Sequence, residues 1–220
     1  LRGAMRSVHS GLWGGVLPNA AQGLGQLLAS FHDQDTGEIA IPGYLEGLRA
    51  PTAAERAAAE QSFPGEEAIQ KLHGIGSLGG EAGKYSAAER VGFRPTVEVV
   101  GAGAGYLGKG FQSIVPHEAF IKIVSRLGPG QDPERCLALL EEHVKSHAPK
   151  NLKLEITAKG SHGPAVLFDQ DHPTTQLAAK AIVAATGATP ALIYSGGSLP
   201  LLLDVRGRLK QGGRDDGSIA

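Results

Sequence analysis

The chain has 220 residues, 41% of them apolar, with 21 Lys plus Arg against 22 Asp plus Glu and a formal net charge of -1. An apolar share of that size fills a core, and the missing basic excess argues against nucleic-acid binding. No run of ~18 apolar residues and no apolar signal core in LRGAMRSVHSG occur, so neither a membrane span nor a secretory leader is expected. With one cysteine, Cys136, an internal disulfide and a thiolate zinc cage are excluded, and a reducing, cytoplasmic setting is expected.

The first element is a helix after Pro18-Asn19. Asn19 caps it, and Leu24, Leu27, Leu28 and Phe31 recur at helical spacing. DQDTGEIAIPGY reads as a loop or short hairpin. Thr52 opens a second helix, with Glu55 completing a capping box. Residues 64–92 mix short helical pieces with turns such as Gly79-Gly80.

A strand at Thr96 to Val100 enters GAGAGYLGKG, and another runs from Phe120 to Leu127. There Ile121, Ile123, Ser125 and Leu127 share one face, while Lys122, Val124 and Arg126 share the other. Asp132 and Pro133 open the best-marked helix, striped by Cys136, Leu137, Leu140 and Val144 and stopped by Pro149. His143, Lys145 and His147 fall in its last turns, where positive charge is favoured.

Leu152, Leu154 and Ile156 alternate with Lys153, Glu155 and Thr157, the pattern of a half-buried strand. A helix from Thr174 to Thr186, a strand at Ala191 to Tyr194, a glycine turn at Ser195 to Ser198 and a helix LPLLLDVRGRL follow. The expected fold is α+β. An antiparallel sheet with helices on one face, in split β-α-β order, precedes part of an α/β layer that begins near Asp169. The other face of the sheet, with Lys122 and Arg126, would be solvated or turned toward a ligand.

Gly103-AGYL-Gly108-Lys109 has the spacing of a phosphate-binding loop. Such a loop needs a helix behind it to present amides, and FQSIVP with Pro116 reads as extended chain, so we take a glycine-rich connection. His143 and His147 lie four apart, a spacing that can seat zinc, but Val144, Lys145 and Ser146 supply no HExxH glutamate. A surface helix terminus is the reading we adopt. Asp169, Asp171 and His172 precede Pro173 in a turn, where such residues are common.

Ser198 lacks a nucleophile elbow and a downstream histidine. Amides at Gly197 and Ser198 with the Ser198 hydroxyl would instead seat a carboxylate, unless the turn is purely structural. His9, in HSGLWGG, is an accessible loop residue or a functional imidazole.

Five segments in order, HSGLWGG, GFRPTVEV, GYLGKGFQSIVP, IKIVSRLGPGQDPE and SGGSLP, resemble metallopeptidase family twenty. Their spacing is most similar to its carnosinase-like dipeptidase branch. The resemblance covers the chain from about Leu1 to Leu203. It implies a lid and dimerisation domain at residues 1–167, with 168–220 returning to a catalytic domain that carries two zinc ions, or manganese or cobalt in their place.

By that resemblance, His9 reaches the partner subunit's site and steadies the tetrahedral oxyanion. Ser113 stands where the pattern has a threonine near that oxyanion. Arg126 binds the substrate's terminal carboxylate, and Gly197 with Ser198 clamps the same group. The implied reaction is hydrolysis of a small peptide or acyl-amino acid by a homodimer, with no nucleic acid or membrane involved.

The family's H-x-D pair, bridging aspartate, Glu-Glu base motif and last histidine find no counterpart in the sequence. We therefore expect this chain to be part of a longer polypeptide, binding no catalytic zinc and hydrolysing nothing alone. The alternative is a non-catalytic dimerisation or small-ligand-binding module with the same lid.

Overall fold

In the computed structural model, which describes residues 1–157, 160, 163–196, 201, 202, 205, 207 and 208, helices start where their capping residues place them. Asn19 Oδ1 accepts from the amides of Ala21 at 2.9 Å and Gln22 at 3.2 Å, opening α2, Ala20–Ala29, after the single turn α1, Ser10–Trp13. Leu24 and Leu27 are buried, and so is Phe31 just past the helix end. At α3, Ala53–Ser62, the expected capping box forms: Thr52 Oγ1 accepts from Glu55 N and Glu55 Oε2 accepts from Thr52 N. Arg49 donates twice to the same carboxylate, at 2.7 and 3.0 Å, and these bonds hold Glu55 below the ordinary carboxylate range. The region between resolves into α4, Glu66–His73, ended by Gly74 at φ 65°, and α5, Ala87–Phe93, capped by Ser86.

The chain divides into two compact units. The first comprises Leu1–Leu45, Thr96–Arg126 and the described residues of Glu134–Ser161. Its strands are β1, Val8–His9; β2, Thr96–Ala104; β3, Ile114–Val115; and β4, Ala119–Arg126. β2 and β4 pair antiparallel, from Thr96 opposite Arg126 to Ala104 opposite Ala119, with a bulge between Val99 and Gly101.

β2 thus runs to Ala104 rather than stopping at Val100. Its glycines are the reason: a Cβ on Gly103 would come within 2.7 Å of the Phe120 ring, which lies across it. The expected strand at Leu152 to Thr157 shrinks to one bridge, Lys153 with Arg2, because Gly3 turns away to donate to His117 O.

Helix α2 covers the inner face of β2 and β4, where Ala20, Leu24, Ala119 and Leu152 form a core joined by Leu1, Leu28, Ala104 and Ile121. Helix α6, Pro133–His147, starts at its proline and buries Cys136 and Val144 as its stripe predicts. His143 corrects the sequence reading. It is 3% exposed, with Nε2 3.0 Å from Ser30 Oγ, its ring 5.5 Å from Phe31 and stacked at 3.9 Å on His147. A helix terminus is a surface site only if no neighbour covers that turn, and the end of α2 covers this one.

The second unit takes in Glu46–Pro95, Leu127–Pro133 and the described residues of His162–Ala220. Its core is Ala59, Ala88 and Phe93, joined by Phe63, Leu167 and Tyr194. Arg94 donates to the Glu81 carboxylate through Nε at 2.8 Å while its guanidinium lies 4.4 Å from the Tyr85 ring.

Helix α7, Pro173–Thr186, is capped by His172, whose Nδ1 accepts from Thr174 N at 3.2 Å. Asp169 meanwhile accepts from Asp171 N at 2.9 Å, so these three residues serve a turn and a cap. Ala191 to Tyr194 forms no strand. Tyr194 packs its ring 4.7 Å from Phe93 instead, leaving Ile193 outside. Most of LPLLLDVRGRL lies outside the described residues. No helix among the described residues is long and apolar enough to cross a membrane.

Candidate functional site

The β1–β3 junction brings His9 and Ser113 to neighbouring backbone positions. His9 stands opposite Ile114, and one step further Ser10 N donates to Ser113 O at 2.8 Å. His9 Nδ1 accepts from Gly11 N at 3.0 Å and so caps α1. In that arrangement the ring proton sits on Nε2, which makes an exposed imidazole a hydrogen-bond donor. Gly11 is what lets the ring lie there: a Cβ on it would stand 2.9 Å from His9 Cε1. In the sequence the signal for this cap is the glycine two residues after the histidine of HSGLWGG.

No helix follows Gly103 to Lys109. The segment from Gly105 to Ser113 is irregular, with Gly105 at φ 75° and Gly110 at φ 88°, so phosphate-loop geometry is absent, as expected.

Arg126 ends β4 on the exposed face with Phe120, Lys122 and Val124. Directly before it, Ser125 turns inward and its Oγ meets Tyr44 Oη at 2.5 Å. Tyr44 is 1% exposed, and its burial pushes the phenol above its ordinary pKa. This pair pins the strand end that carries Arg126. A serine among isoleucines on an inward face was the sequence signal that a buried polar partner had to exist.

At ~3.4 Å per residue, β4 places Arg126 roughly 24 Å from Ala119. Beyond Ala119 the pairing continues outward. Leu1 bonds Ala119, Gly3 bonds His117, and β1 bonds β3. One chain therefore brings His9 and Ser113 to neighbouring backbone positions before β4 and carries Arg126 at the far end of that strand. Gly197 and Ser198 lie outside the described residues. Among the described residues, no group of three or more His, Cys, Asp and Glu could hold a metal ion, so they do not fit a zinc centre.

A family model for the peptidase dimerisation domain matches residues 1–152. The Cys-Gly metallodipeptidase of Saccharomyces cerevisiae is 24% identical over 212 residues, covering 92% of this chain and 42% of that protein. The cysteinylglycine-S-conjugate dipeptidase of Corynebacterium striatum is 28% identical over 200 residues, 90% of this chain and 42% of that protein. Among solved structures, an M20 family metallo-carboxypeptidase from Sulfolobus solfataricus superposes with a TM-score of 0.80 at 29% identity, covering 98% of this chain and 47% of that one. The chain thus spans less than half the length of these relatives. It is a member of the M20 metallopeptidase family and carries that family's dimerisation domain.

Proposed function

We propose that this chain is the lid and substrate-carboxylate-binding portion of a homodimeric metallodipeptidase that hydrolyses small peptides or acyl-amino acids. The relatives named above are dipeptidases and a carboxypeptidase. In this reading residues 1–167 are the lid and 168–220 return to the catalytic domain. The two zinc ions, or manganese or cobalt, are held by residues outside this chain, and the protein works in the cytoplasm.

What supports the reading is the pairing that sets His9 opposite Ile114, before the start of β4, while Arg126 stands at the end of β4. A dipeptide backbone spans about 7 Å, far less than the roughly 24 Å of β4 alone. An oxyanion donor at His9 and a carboxylate anchor at Arg126 can therefore meet one substrate only if they come from different subunits. A two-fold axis supplies that arrangement.

His9 then donates Nε2–H to the oxygen on which charge develops, held in orientation by the Gly11 amide. Ser113 offers its hydroxyl nearby. Arg126 grips the terminal carboxylate in two parallel hydrogen bonds that lysine cannot reproduce, with Gly197 and Ser198 completing that grip.

In the polypeptide that carries this chain, His9→Ala is expected to lower turnover by ~10²–10³ while the dimer persists by size-exclusion chromatography with light scattering. Unchanged turnover would refute the role of His9.

A further inference from the structure

We infer that Gly92 and Tyr194 are positioning residues, through which the last turn of α5 seats the chain entering the Gly197–Ser198 carboxylate clamp. This rests on the role proposed above for Gly197 and Ser198. The contacts that carry it lie inside the second compact unit.

Residues Ala191 to Gly196 belong to no strand, so no sheet ladder fixes the way into SGGS. A pair of glycines adds backbone freedom, and ordering that freedom on binding would be subtracted from the affinity for substrate. The approach to the pair is held by α5 instead. Tyr194 lays its ring 4.7 Å from that of Phe93, which is 1% exposed, and joins the core of Ala59, Ala88 and Phe93. A Cβ on Gly196 would stand 3.5 Å from Val91 O, so the backbone two residues on still follows the same turn.

Gly92 is what allows this approach. A Cβ on it would stand 2.7 Å from Tyr194 Cβ, closer than side chains pack. Glycine inside a helix is unfavourable against alanine, and α5 has only seven residues in which to absorb it. The bare position lets Tyr194 come down onto the helix. The helix beneath is itself fixed: Ser86 caps it, and Arg56 of α3 donates to Glu89 at 2.9 and 3.3 Å. The helices between the His9 motif and β2 thereby act at the carboxylate end of the substrate.

A clamp on the terminal carboxylate grips a group whose charge does not change during hydrolysis. Displacing it weakens substrate and transition state alike, so KM rises while kcat holds. The test measures KM and kcat for cysteinylglycine and for its C-terminal amide, in the full polypeptide that carries this chain. Wild type should favour the free acid through KM. Gly92→Ala and Tyr194→Ala should each raise KM for the acid at least ~10-fold, the worth of a hydrogen bond to a charged group. KM for the amide and both kcat values should stay within ~3-fold. Tyr194→Phe keeps the ring and should restore the KM that Tyr194→Ala loses. If circular dichroism shows Tyr194→Ala unfolded, Gly92→Ala decides alone, since alanine favours its helix.

An unchanged KM for the acid, an equal shift for acid and amide, or a kcat that falls in step would overturn the positioning role. The two ideas separate in the wild type. If it treats acid and amide alike, the carboxylate reading fails and the positioning role with it. If it discriminates and both variants match it, the positioning role alone fails.

Discussion

Helix α2 contains a matched pair of glycines that tests the packing beneath the sheet. Gly25 faces solvent, and a Cβ there would have no neighbour within 4 Å. Gly23 is buried, and a Cβ there would overlap Leu152 Cδ1 and stand 3.2 Å from Pro149 Cγ. Alanine at either position gains about 0.8–1 kcal/mol of helix propensity. At Gly23 the same methyl must displace a leucine that is 7% exposed beneath Ala20, Leu24 and Ala119. Overpacking of that kind costs about 1–3 kcal/mol.

Gly25→Ala should therefore raise stability by about 1 kcal/mol, while Gly23→Ala should fall between no change and a loss of about 2 kcal/mol. Urea denaturation followed by circular dichroism, with the slope unchanged, measures both. Adding Leu152→Ala to Gly23→Ala should cost less than the sum of the single changes, since the truncated side chain makes the room. Equal stabilisation by the two alanines would refute the close approach of α2 to Leu152.

Two further outcomes follow from single side chains. Ser30 Oγ donates to Leu27 O at 2.7 Å and so accepts from His143 Nε2–H, which leaves the buried Nδ1 without a partner. Burial first, and then His147, lowers the His143 pKa. The unfolded chain therefore binds the proton more readily. Stability should be full above the ordinary imidazole value of ~6.5 and fall as pH drops below it. His143→Leu should flatten that slope in pH-dependent urea titrations, and an unaltered slope would contradict the burial. Gly11→Ala should push the His9 ring off its amide and lower kcat at least ~10-fold with KM little changed; wild-type kcat would count against the geometry of that hydrogen bond.

Local signals carried far in this sequence. Asn19 and Thr52 announce α2 and α3 because a capping side chain answers to backbone amides two or three residues away. The alternation of β4 shows which face Arg126 takes, because strand periodicity is equally local. Legibility stops where long-range packing decides. Nothing near His143 in the sequence says that Ser30 and Phe31 cover it, and nothing near Leu152 says that Gly3 ends its pairing with Arg2. GAGA reads as loop by composition. It is strand because Phe120 and Lys122 from β4 need bare backbone to lie on. At the candidate site, the residue types pointed to an imidazole and an anion seat. The separation of His9 from Arg126, on which the two-subunit proposal rests, follows from how β3 and β4 pair with their neighbours.

Subunit complementation probes that division most directly. His9→Ala and Arg126→Ala versions of the full polypeptide are purified, mixed under conditions that exchange subunits, and assayed for dipeptide hydrolysis. Each alone should be nearly inactive. If the two groups meet one substrate from opposite subunits, half the dimers are mixed and each has one intact site, so about a quarter of wild-type turnover should return. No recovery in a mixture shown by mass to contain heterodimers would mean that His9 and Arg126 serve the same site from the same chain, contrary to this account.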